Sequence, residues 1–159
     1  MKKVLFMAAL VAASFTGTAQ DKKLSFGLGA ELALPMGDFG TFYSFGAGVS
    51  AQMNYAVTSN VGLTLNAGYV SYSGKSGAGS SGVIPVLAGV SFNLSDKVYA
   101  SGQLGMTMSA ESGGGSAFTF APGVGYKVSD KFDLLLKYSS WSDNGFTSSA
   151  LGLRAGFTF

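Results

Sequence analysis

From Leu24 onward the chain alternates apolar residues with small or polar ones, in eight separate runs, and every charge within those runs falls in the same one of the two alternating sets. A period of two places successive side chains on opposite faces of a β-strand. In the first run Leu24, Phe26, Leu28, Ala30, Leu32 and Leu34 share one face, opposed by Ser25, Gly27, Gly29, Glu31 and Ala33. The pattern recurs at Phe45–Val57, Val61–Tyr69, Ile84–Leu94, Val98–Met108, Phe118–Val128, Phe132–Tyr138 and Leu151–Phe159. Each run is about the length of a tilted strand that crosses a bilayer. Beyond residue 20 no stretch reaches the roughly 18 apolar residues of a transmembrane helix.

Alternation alone does not say which face looks inward, so a soluble barrel with an apolar calyx stands against a membrane barrel. Charge placement separates them. The charges within the strands are Glu31, Lys127, Asp133, Lys137 and Arg154, all in the small and polar set. A soluble barrel would pack eight rows of Leu, Phe and Tyr into an interior that, with eight strands, has room only for side chains or one small ligand. The workable arrangement is apolar outside and small-polar inside, with lipid as the outer solvent. Charged residues make up 11% of the chain, against about 25% in ordinary soluble domains. Aromatic residues fall at both strand ends, Phe45, Tyr69, Phe118 and Tyr138 at one and Tyr55, Phe92, Tyr126, Phe132, Phe157 and Phe159 at the other, as two interfacial girdles require.

Three short connections resemble one another: Val57-Thr58-Ser59-Asn60-Val61, Leu94-Ser95-Asp96-Lys97-Val98 and Val128-Ser129-Asp130-Lys131-Phe132. They alternate with longer ones, Pro35–Tyr43, Ser73–Gly82, Ser109–Ala117 and Trp141–Ser149, rich in Gly and Ser and expected to be the mobile, exposed end. The Gly/Ser stretches read as hairpin loops, since no P-loop spacing accompanies them. Trp141 reads as an interface or loop anchor. Pro122, and Pro85 near the start of its strand, predict local bulges, because a closed barrel wants every N–H paired.

At the N-terminus Lys2 and Lys3 precede an apolar run, Val4 to Ala13, and a small-residue site ending Gly17-Thr18-Ala19. Residues 1–19 therefore read as a secretory signal peptide and 20–159 as the barrel domain. Removal of Lys2 and Lys3 leaves eight basic against eight acidic residues, so no nucleic-acid partner is expected. The chain has no His and no Cys, which excludes imidazole bases, thiolate nucleophiles and Cys/His metal cages. No cofactor, metal site or catalytic residue is expected, and Glu31 and Asp133 lie at different heights in a lumen with no sugar-sized cleft for glycoside chemistry.

The inward charges form the one constellation of interest. Lys127 and Asp133 are equidistant from Asp130 and should face each other across a hairpin. Glu31, Lys137 and Arg154 fall on neighbouring strands once the barrel closes, with Glu31 expected to pair with Arg154. Such charges need partners to be tolerated in a lumen. They form either a structural plug or the gate of a narrow pore, for which the inward glycines would leave room for water.

Signal peptide, eight alternating strands, short turns, longer loops and the final run Leu151-Gly152-Leu153-Arg154-Ala155-Gly156-Phe157-Thr158-Phe159 together resemble the small eight-stranded outer-membrane β-barrels of Gram-negative bacteria. The resemblance spans residues 24–159 and implies an all-β, antiparallel up-and-down transmembrane barrel in the outer membrane. It implies that Phe159 is the signal read by the barrel assembly machinery, with periplasmic chaperones as further partners during biogenesis, and a monomer surrounded by outer-membrane lipid. The expected role is structural or adhesin-like, through the external loops and an unknown external partner. The alternative is a narrow passive pore gated by the lumen charges. A secreted Gly-rich fibre subunit is a third class, distinguished by its lack of detergent-dependent solubility.

Overall fold

The structure, a computed structural model, describes residues 24–75, 77, 79–111, 113–143 and 145–159; the expected signal peptide lies outside them. Eight strands are formed: β1 (Leu24–Met36), β2 (Tyr43–Ala56), β3 (Val61–Gly74), β4 (Ser81–Asn93), β5 (Val98–Ser109), β6 (Ser116–Lys127), β7 (Phe132–Asp143) and β8 (Phe146–Thr158). A single helical turn, α1 (Phe39–Phe42), lies between β1 and β2. Each strand pairs antiparallel with its sequence neighbours and β8 pairs with β1, closing the barrel. Following the register strand by strand from Phe26 returns to β1 at Met36, a stagger of ten residues. Closing eight strands with a stagger of this kind tilts them by roughly 35–45° to the axis.

The apolar face points outward, as the charge placement predicts. Leu28, Val49, Leu104 and Val124 are each more than half exposed, and the rings of both expected girdles lie on this outer surface. Toward the loop end the phase of the alternation inverts. Beyond Tyr69, Tyr138 and Leu151 the outward positions become Ser71, Ser73, Ser140, Ser142, Thr147 and Ser149, while Val70, Tyr72, Trp141 and Ala150 turn inward. Val70, Tyr72 and Ala150 join Ala33 in a small buried core, against which Phe39, Tyr43, Val83 and Trp141 pack. The strands thus leave the apolar solvent and continue as an ordinary water-exposed sheet with a filled interior.

This inversion corrects the expected strand ends. β3 and β7 run five residues past Tyr69 and Tyr138, and β8 begins five residues before Leu151. The connection expected at Trp141–Ser149 is therefore mostly sheet, with β7 ending at Asp143 and β8 beginning at Phe146. The other three outer connections shrink to residues 37–42, 75–80 and 110–115. One glycine in each outer connection, Gly37, Gly77, Gly113 and Gly145, takes a positive φ between 57° and 87°, which side chains with a Cβ disfavour.

Neither proline makes a bulge. The β6–β7 register is the same on both sides of Pro122, and the β3–β4 register the same on both sides of Pro85. Two rungs are missing at each place, because a proline has no N–H to close its own rung. The opposite neighbours, β5 for both, pair without a gap. The one register shift lies at the mouth of β2, between Tyr43 and Phe45.

The three short turns fold alike. Thr58 Oγ1 accepts from the N–H groups of Asn60 and Val61, Ser95 Oγ from Lys97 and Val98, and Ser129 Oγ from Lys131 and Phe132. Each turn is also bonded to the next hairpin: the N–H groups of Asn93, Lys127 and Thr158 donate to the carbonyls of Asn60, Lys97 and Lys131. The repeated sequence thus builds a staircase along the turn-end rim.

Candidate functional site: the lumen charge network

Four of the five strand charges meet inside the barrel. Glu31 on β1 and Arg154 on β8 are direct register partners, and Lys137 on β7 pairs in register with Gly152, two residues from Arg154. Lys137 Nζ lies 3.2 Å from Glu31 Oε1 and 3.1 Å from Oε2. Arg154 Nε lies 3.9 Å from Glu31 Oε1 and donates to Ser50 Oγ at 3.2 Å. Its Nη1 lies 3.6 Å from Asp133 Oδ1, while Asp133 Oδ2 accepts from the Tyr99 hydroxyl at 2.5 Å. Glu31, Lys137 and Arg154 are 4%, 8% and 2% exposed, a burial that only mutual neutralisation makes tolerable.

The closest contact of Glu31 is thus with Lys137, and the guanidinium of the expected partner Arg154 is shared between two carboxylates. Lys127 and Asp133 do stand opposite each other across the β6–β7 ladder, but their side chains bond elsewhere. Asp133 goes to Arg154 and Tyr99, and Lys127 Nζ donates to Asn93 Oδ1 at 2.9 Å. Ser50, Tyr99 and Asn93 were not singled out from the sequence. Tyr99 carries a legible signal, since it is an aromatic ring on a face otherwise small and polar.

The inward glycines do not leave open space around the network. A Cβ at Gly29 or at its register partner Gly156 would collide with the Arg154 side chain, one at Gly125 with the Tyr99 ring, and one at Gly46 with the Tyr72 ring. Glycine at these positions makes room for the large side chains opposite, which fill it. Leu87, Leu135, Gln103, Asn66 and Thr119 are fully buried within the barrel. Gln52 and Asn66 are joined by a side-chain hydrogen bond, as are Thr107 and Thr119.

Two spaces remain. Toward the loop end a cavity of about 40 Å³ is lined by Glu31, Lys137, Leu87, Tyr72 and Trp141. Across the loop end lies an aromatic group: Phe39 on α1 packs against Tyr43, Tyr72 and Trp141 at centroid distances of 4.7, 4.9 and 5.2 Å. Trp141 therefore anchors the first loop from inside the barrel and does not face lipid. At the turn end a wider vestibule of about 280 Å³ is lined by Gln52, Asn54, Asn93, Tyr99, Lys127 and Asp133. Among the described residues no cluster of acidic side chains has the makings of a metal site.

The family described as outer membrane protein beta-barrel domain matches residues 5–159. No curated protein matches the chain. Among solved structures, the attachment invasion locus protein Ail of Yersinia pestis superposes with a TM-score of 0.62 at 16% identity, over 86% of this chain and 98% of Ail. The N-terminal β-barrel domain of Pseudomonas aeruginosa OprF gives 0.61 at 15%, over 85% and 97%. A de novo designed transmembrane β-barrel gives 0.55 at 19%, over 87% and 98%.

Proposed function

We propose, since the chain belongs to the outer membrane protein beta-barrel domain family, that it is a plugged barrel of the Gram-negative outer membrane with a structural role and a surface for an external partner. The observation that carries this reading is the neutral, buried network Lys137–Glu31–Arg154–Asp133 inside the barrel, which Tyr99 joins from β5 through Asp133. Leu87, Leu135 and Gln103, fully buried within the barrel, support the same reading. In this reading residues 1–19 are the exported leader, the turn end faces the periplasm, Phe159 is the assembly signal, and the barrel works without catalysis.

The partner surface in this reading is the loop-end rim. Lys75 N donates to the carbonyl of Phe42 at 2.8 Å and its Nζ to that of Gly40 at 2.6 Å, tying the second loop to the first. Phe42 stands 62% exposed beside them. Ail, a barrel of similar fold, has a crystal structure in complex with the heparin analogue sucrose octasulfate. Here Lys75 is the one cation among the described loop-end residues, with Asp38 and Glu111 nearby in the loops, so a polyanion is not the partner this rim fits. An apolar or neutral polar surface that takes up Phe42 fits better.

The second reading, a narrow passive pore, draws on the two cavities that flank the network. Single-channel recording from the folded barrel in a planar bilayer, beside Arg154→Ala, separates the two. The plugged barrel gives no discrete steps in the wild type. Steps in the wild type that the substitution alters would establish the pore and overturn the proposal.

A further inference from the structure

Four of the five lumen charges neutralise one another, and the fifth has no carboxylate of its own. Lys127 Nζ is bonded to the Asn93 amide oxygen, which leaves further donors of its ammonium group available. Asp133, directly opposite in register, has one oxygen near Arg154 and the other bonded to Tyr99. Asp130 and Lys131, adjacent on the turn that borders the vestibule, add one charge of each sign to its edge. Among the described residues the vestibule thus presents one ammonium, that of Lys127, with no carboxylate of its own, set in a wall of side-chain amides and hydroxyls.

We propose that the turn-end vestibule binds a sugar bearing one anionic group, with Lys127 as the anchor for the anion. An ammonium supplies a point charge for a phosphate or carboxylate. The Gln52, Asn54 and Asn93 amides and the Ser101 hydroxyl supply the mixed donors and acceptors that sugar hydroxyls require, and the Tyr99 ring adds an aromatic surface. At about 280 Å³ the vestibule approaches the lower bound of small-molecule sites, roughly 300 Å³. The charge network lies between it and the loop-end cavity, and in the plugged reading the solute is held and not passed. The site stands whether or not the loop-end rim serves a partner, and with the turn end facing the periplasm, as proposed above, the sugar enters from there.

The test is an NMR titration of the folded, ¹⁵N-labelled barrel in detergent micelles with glucose 6-phosphate, glucuronate, glucose and inorganic phosphate, each as a separate arm. Saturable shifts at the amides of Lys127, Asn93 and Ser101 are expected with both anionic sugars. Glucose or phosphate alone should bind about tenfold more weakly or worse, and Lys127→Gln should weaken the anionic sugars by a similar factor, the scale of one lost charge-assisted hydrogen bond. Ser101→Leu, which fills the vestibule and leaves every charge in place, should abolish the shifts and provides a test should Lys127→Gln not fold. Absence of saturable shifts with either anionic sugar, equal affinity in Lys127→Gln, or undiminished binding in Ser101→Leu would overturn the proposal.

Discussion

Arg154 is the residue on which both lumen carboxylates depend. It reaches Glu31 on one side, Asp133 on the other, and is steadied by Ser50. Its guanidinium can serve two acceptors because its donors are splayed in a plane, whereas the Lys137 ammonium concentrates its charge on Glu31 alone. Removing one member of a buried pair typically costs about 3–5 kcal/mol, because the other charge stays buried without compensation. Double-mutant cycles measured by urea unfolding from lipid vesicles should therefore give a larger coupling for Glu31 with Lys137, at 3.1 Å, than for Glu31 with Arg154, at 3.9 Å. Equal couplings, or the reverse order, would show that Arg154 is the true counter-ion of Glu31. Strand adjacency, readable from alternation and turn count, brought the charges to one lumen. It did not reveal which cation reaches Glu31 first, since that depends on Asp133 and Ser50 competing for Arg154 from other strands.

At the scale of the element, β6 shows how a strand tolerates a missing donor. Pro122 pairs without a gap with Gly102 on β5, and only the β7 side loses two rungs. The closed barrel holds the register on both flanks, so the loss stays confined to those two rungs and no residue is extruded. Pro122→Ala restores an N–H at this position, and its amide should enter the ladder and exchange slowly with deuterated solvent in the folded barrel. Rapid exchange at residue 122 would mean that the strands are splayed there independently of the proline. A sequence shows a proline's missing donor but not whether neighbouring rungs are strong enough to fix the register, which is why bulges were expected. The ends of β3, β7 and β8 were misjudged for a different reason. Their outer segments keep a period of two in the opposite phase, and a search for apolar residues on the outer face stops where that face becomes serine. The one signal in the sequence for a tighter connection is the Asn-Gly dipeptide ending at Gly145, and Gly145 takes a positive φ of 87° between β7 and β8.

At the scale of the molecule, one closed sheet serves two solvents. Between the girdles its apolar face looks out and its interior is polar; beyond the upper girdle the outside is hydroxyl-rich and the interior aromatic. The single tryptophan, Trp141, reports on this division because it lies on the inner face of the wet segment. In vesicles containing brominated lipids its fluorescence should be unquenched, whereas Trp141→Phe combined with Tyr138→Trp places the fluorophore on the outer girdle and should be strongly quenched. Quenching of the native tryptophan would place the water boundary above residue 141 and remove the basis for the inverted segment. The inversion also bears on how such a barrel can change length. Adding residues in pairs above the boundary extends the part that stands in water and leaves the belt in lipid untouched, while a single inserted residue exchanges the dry and wet faces of everything beyond it. Insertions and deletions at the tops of these strands should therefore persist in steps of two, and the height of the protein above the cell can drift while its depth in the membrane stays fixed.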